Sequence, residues 1–164
     1  MISDQLRKMF TDEFAGTRKV LERVDFSKYD FKPHAKSFSF GDLSNHVANL
    51  PNWGMLMLKA NEFRVNPGEK VAAYTTSKSS EELLERYDKA TADFLAGLEG
   101  IDDAKMQEPW SFYVGDQLVF TMPRVAAIKN SVMKHMIHHR GQLTVYLRMN
   151  DIAVPGLYGP SADE

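Results

Sequence analysis

Near the C-terminal end of this chain, Ile128, Val132, His135, His139, Leu143 and Tyr146 recur at helical spacing. His135 and His139 thus interrupt an apolar stripe, and a stripe of that kind turns toward the core. Inside a core every ring nitrogen needs a partner, because a buried polar group without one is costly. The fold must therefore bring something to these two rings. On a helix, residues i and i+4 differ by about 40° of rotation and roughly 6 Å of rise, so two imidazoles can share one small ion.

A third imidazole, His46, lies on another amphipathic stretch with Leu43, Val47 and Leu50. Three imidazoles from two facing helices would leave one position of a divalent ion open, the pattern of a reactive rather than a structural metal. Taken alone, His46 reads as a core histidine bonded through one nitrogen. Spacing by itself leaves both readings open for the trio, a shared ion or polar core residues. His138 could replace His139 as an i,i+3 partner of His135, but it lies off the Val132–Leu143 line and is expected in solvent or in a supporting role. His34, beside Pro33, reads as a surface residue. A zinc peptidase of the His-Glu-x-x-His type is excluded, because Met136 stands where its general base would be. Asp42, one turn before His46, could accept from an imidazole N–H or simply serve the start of its helix. Gln142 and Tyr146 follow His139 closely enough to reach it, although ordinary bundle packing is the better account of Tyr146.

Four segments carry helical apolar spacing. The first opens at Ser3 and includes Leu6, Phe10, Phe14 and Leu21. The second starts at the N-cap pattern Ser39-Phe40-Gly41-Asp42, is expected to kink at Pro51, and resumes through Trp53, Leu56 and Phe63. The third begins with a capping box, Ser79 to Glu82, and ends near Gly100. The fourth opens at Thr121-Met122-Pro123 and runs to about Met149. Between the last two, aromatic and β-branched residues flank Gly115-Asp116, which predicts a short hairpin or an irregular loop. The expected fold is all-α: residues 1–164 as a single four-helix-bundle domain, with a kinked second helix.

Composition removes several functional classes. A net charge of −2 lacks the basic excess of a nucleic-acid binder, so no nucleic-acid partner is expected. There is no cysteine, which excludes disulfides, thiolate ligands and a cysteine nucleophile. The first residues have neither the basic nor the apolar region of a signal peptide, and no apolar run reaches membrane-spanning length. A cytoplasmic protein with no membrane partner is the expectation.

The order of these motifs resembles the DinB/YfiT-like metalloprotein superfamily. The likeness rests on Ser39-Phe40-Gly41-Asp42-Leu43 with His46, on His135-x-x-x-His139 with Arg140-Gly141-Gln142-Leu143, on Thr121-Met122-Pro123-Arg124, and on the ending from Val154 to Glu164. It extends over nearly the whole chain. The resemblance implies a four-helix bundle, a divalent ion (nickel, zinc or iron) held by His46, His135 and His139, and a homodimer. Similar proteins include enzymes that transfer low-molecular-weight thiols such as bacillithiol, mycothiol or glutathione to electrophiles, and others described as metal-dependent hydrolases.

The expected function is accordingly metal-dependent transfer of a low-molecular-weight thiol to a small-molecule electrophile, a reaction that needs no carboxylate base from the protein. Metal-dependent hydrolysis of an ester or amide is the alternative enzyme. A metal-binding or sensing module without turnover, or a bundle merely pinned by its ion, are the non-enzymatic alternatives.

Overall fold

The computed structural model describes residues 1–68 and 76–164. Its long helices are α1 (Ile2–Leu21), α2 (Phe40–Lys59) and α3 (Ser80–Gly97). A short α4 (Asp103–Gln107) leads into strands β2 (Pro109–Val114) and β3 (Gln117–Pro123), while strand β1 (Glu62–Val65) follows α2. The chain closes with a helical rod in three parts: α5 (Arg124–Ile128), a π-helical turn (Lys129–Lys134) and α6 (His135–Met149). The helices pack α2 on α3, α3 on α1, α1 on α6 and α6 on α2 around one apolar core.

Local chemistry sets the helix starts. The Ser39 hydroxyl accepts from the Asp42 backbone N–H at 3.0 Å, as the cap pattern predicts. Helix α2 then continues through Pro51 to Lys59. At α3, Ser79 Oγ accepts from the Glu82 N–H at 3.2 Å. The Glu82 carboxylate accepts from Lys78 N–H at 2.7 Å, one residue earlier than in a reciprocal capping box. Gly100, just beyond α3, has φ +74, a left-handed conformation that glycine adopts without strain.

The expected all-α bundle is overturned by a three-stranded sheet in the order β1-β2-β3, with β1 parallel to β2 and β2 antiparallel to β3. Phe63 belongs to β1 rather than to an extension of the second helix, and Thr121-Met122-Pro123 closes β3, so the last helix begins at Arg124. The physical reason is a period-two apolar pattern. Trp110 and Phe112 on β2 face Met122 and Phe120 on β3, and Phe63 on β1 pairs with Phe112. One face of the sheet is thereby aromatic and gains more from packing on the helices than a helical continuation would. The hairpin anticipated at Gly115-Asp116 is present, with Gly115 at φ +58.

Arg124 locks this sheet to the helices. It is fully buried, and Nη1 donates to the carbonyls of Met57 and Ala60, the latter at 2.7 Å, at the C-terminus of α2. Its Nη2 donates to Asn61 Oδ1 at 2.6 Å and to Glu108 Oε2 at 3.3 Å. A cation at a helix C-terminus satisfies carbonyls that have no intrahelical donor and opposes the negative end of the helix dipole. Arg140 ties α6 to the middle of α1. It is 2% exposed and donates to the Glu13 carbonyl at 3.0 Å, to Glu13 Oε2 at 2.7 Å and to Thr17 Oγ1 at 3.2 Å.

Gly54 marks the closest approach of α2 to α3: a Cβ there would lie 2.4 Å from the ring of Phe94. That ring is fully buried and set edge-on against Phe10 at 4.9 Å, so it cannot yield. Intrinsic propensity predicts that Gly54→Ala gains about 1 kcal/mol. Overpacking predicts instead a loss of about 1–3 kcal/mol, and we expect the loss, measured by denaturant unfolding.

Candidate metal centre

His46 projects from the second turn of α2, and His135 and His139 from the first turns of α6. The structure brings the three rings together. His46 Nε2 lies 3.2 Å from His135 Nε2, which lies 2.8 Å from His139 Nε2. One ring nitrogen from each of the three falls within 4.8 Å of the other two. Phe38 stacks on His46, with ring centroids 5.8 Å apart, and meets His139 edge-on at 6.4 Å. The Phe38 carbonyl accepts from Tyr146 OH at 3.0 Å, so Tyr146 supports the site through packing and one hydrogen bond rather than by touching an imidazole.

The outer nitrogen of one ring is already engaged: His139 Nδ1–H donates to Gln142 Oε1 at 2.7 Å. The Ser131 backbone beside His135 raises the pKa of that ring against the effect of burial. With the His139 proton on Nδ1, its Nε2 offers a lone pair toward His135 Nε2 at 2.8 Å, to which an N–H of His135 can donate or a shared cation can bind. A tetrahedral ion with bonds of about 2.1 Å holds its nitrogens about 3.4 Å apart; the 3.2 Å pair is near that spacing and the 2.8 Å pair is shorter. The three-imidazole donor set and the Gln142 hydrogen bond behind it fit a divalent metal ion.

Protonation does not relieve the contact at neutral pH. Burial lowers the pKa of all three rings from the ordinary 6.5. For His46 burial is joined by the neighbouring His139 and His135, which push it down to about 4. All three rings are thus held neutral and ready to donate lone pairs.

The remaining candidates lie outside the group. His34 is exposed, and its Nδ1 accepts from the Lys36 backbone N–H at 3.1 Å. His138 is exposed, with its ring 5.0 Å from that of His139. Asp42 accepts from Tyr29 OH at 3.4 Å and stands in the first turn of α2, as a helix-start carboxylate. Gln142, anticipated to reach the site, does so. Sequence reasoning missed the π-helical turn directly before His135; turns of this kind recur at functional sites, and no residue pattern announces them. It also missed the aromatic walls beside the histidines, although the alternation of Trp110, Phe112, Phe120 and Met122 was the available signal. One buried polar atom among the described residues lacks a partner, Nε1 of Trp110 in these walls.

The fold and site together define a helical protein with a sheet at one end and a convergent three-histidine group. Residues 3–164 match the DinB family. The chain belongs to the DinB family. It is 33% identical over 163 residues to the uncharacterized protein YrdA of Bacillus subtilis strain 168, a match covering 98% of this chain and 90% of YrdA. Its fold is similar to that of the DinB-like protein YjoA from Bacillus subtilis, with a TM-score of 0.71, 20% identity, and coverage of 95% of this chain and 98% of YjoA. A DinB-like protein from Bacillus cereus ATCC 10987 superposes with a TM-score of 0.68 and 20% identity, covering 92% of this chain and 94% of that one. Among the described residues, no helix is long and apolar enough to cross a membrane.

The depressed pKa values fix a sign. Unfolded histidines take up protons near pH 6.5, whereas the folded rings resist them, so unfolding binds protons below that pH. Metal-free protein should lose stability as pH falls from 6.5 toward about 4, the span set by His46. His46→Phe should flatten this dependence, as read from denaturant midpoints across the window.

Proposed function

We propose that this protein is a metal-dependent enzyme in which His46, His135 and His139 hold one divalent ion, and that it transfers a low-molecular-weight thiol to an electrophile. The observation carrying this reading is the convergence of one ring nitrogen from each histidine within 4.8 Å of the others, with the His139 N–H directed away to Gln142. A divalent ion held by three imidazoles keeps a position open and supplies Lewis acidity that lowers the pKa of a small ligand such as a thiol or water.

The chain's own residues do the rest. Gln142 fixes the orientation of His139. Phe38 packs against the rings of His46 and His139. In the transfer, a sulfur lone pair forms a carbon–sulfur bond, the leaving group departs with the electron pair of the broken bond, and the thiol proton passes to solvent. No carboxylate joins the histidine group among the described residues. That favours thiol transfer over hydrolysis, in which a protein base commonly activates water. The chain has no cysteine, so the sulfur must come from the small molecule.

Elemental analysis of untagged protein should find close to one divalent ion per chain. His46→Ala, His135→Ala and His139→Ala should each lose it, while His34→Ala and His138→Ala keep it. Full occupancy in His135→Ala would contradict the assignment. Gln142→Leu should retain the ion but bind it about 10–100-fold more weakly. In a panel of thiols and electrophiles, turnover should vanish on chelation and return with metal.

A further inference from the structure

Metal binding by itself does not require the space beside the histidines. His46 and His135 form part of the wall of a cavity of about 290 Å3. The rest of the wall is largely aromatic, with Trp53 from α2, Trp110 and Phe112 from β2, and Phe120 from β3. The Phe112 and Phe120 rings lie 5.7 Å apart, and Phe120 and Trp110 lie 6.1 Å apart. Phe63, the β1 partner of Phe112, lies beside it with the two rings at an interplanar angle of 11°. Among the described residues no Asp, Glu, Lys or Arg lines this space, and its only hydroxyl is that of Ser131, one turn before His135.

These features select a ligand class. Away from the histidines, an ionised group would lose its hydration with no counter-charge to replace it. Flat rings fit between aromatic walls in offset or edge-to-face contact. An apolar cavity of about 150 Å3 takes a benzene, so this one has room for about two fused rings. The charged tail of a peptide-like thiol does not suit it.

We propose that this cavity is the acceptor subsite and takes an uncharged aromatic compound of one or two fused rings, its reactive end facing His46 and His135. The acceptor role rests on the thiol-transfer reading; the ligand class rests on the cavity alone.

The test uses coumarin, a neutral bicyclic probe, against coumarin-3-carboxylate, the same ring system with a charge, on metal-free protein. Trp53 and Trp110 are the chain's two tryptophans and both line the cavity, so their fluorescence reports occupancy, with calorimetry as the second readout. Coumarin should bind saturably at one per chain, and the carboxylate at least ten-fold more weakly. Phe120→Asp, which puts a charge into the wall from β3, should weaken coumarin at least ten-fold while still binding metal. Absent coumarin binding, or equal binding of the two probes, overturns the proposal whether or not the variant folds. Metal binding without coumarin binding would remove the subsite and leave the metal centre. Coumarin binding without metal would remove the metal centre and leave the cavity's ligand class.

Discussion

Two imidazole nitrogens face each other at 2.8 Å, and a third lies 3.2 Å from one of them, with burial holding all three rings neutral. Much of the surrounding structure holds these nitrogens together. Gln142 engages the outer nitrogen of His139. Arg140, next to His139 in the chain, ties α6 to α1 through Glu13 and Thr17 and is joined by Tyr158. The Ser39 cap fixes the start of α2, from which His46 projects less than two turns later. A site of this type is held by its supporting contacts as much as by its donors.

The sheet gives the site its second half. It covers one end of the helices with an aromatic face, and Arg124 anchors it to the C-terminus of α2 through the carbonyls of Met57 and Ala60. Met57 itself lines the cavity, so the same contact that joins sheet to helix also shapes the space beside His46. The departure from an all-helical architecture is thus what creates a ligand-sized apolar space next to the histidines. Such a pocket, with a few convergent polar groups, is the usual form of a small-molecule site.

Much of this was legible in the sequence. The histidines could be read because period 3.6 places His135 and His139 on one face and His46 on a neighbouring helix. The caps at Ser39 and Ser79 were legible because they depend on residues three apart. The hairpin could be anticipated at Gly115-Asp116 for the same reason. Strand β1 could not: Glu62–Val65 is only four residues long, and its partner in the sheet is Ser111–Val114, far along the chain. The π-helical turn before His135 was equally hidden, because it is a property of backbone pairing with no side-chain signature. The burial of Arg124 and Arg140 was hidden too, since a charged residue reads as solvent-facing until its distant acceptors are in place.

The most direct test is X-ray absorption on the zinc-loaded protein. The account predicts a shell of nitrogen or oxygen at about 2.0–2.1 Å, with outer scattering from three imidazoles and one light-atom ligand that exchanges when a thiol is added. His135→Ala should reduce or abolish the imidazole contribution. A shell of oxygens without imidazole scattering, or a spectrum unchanged in His135→Ala, would contradict it.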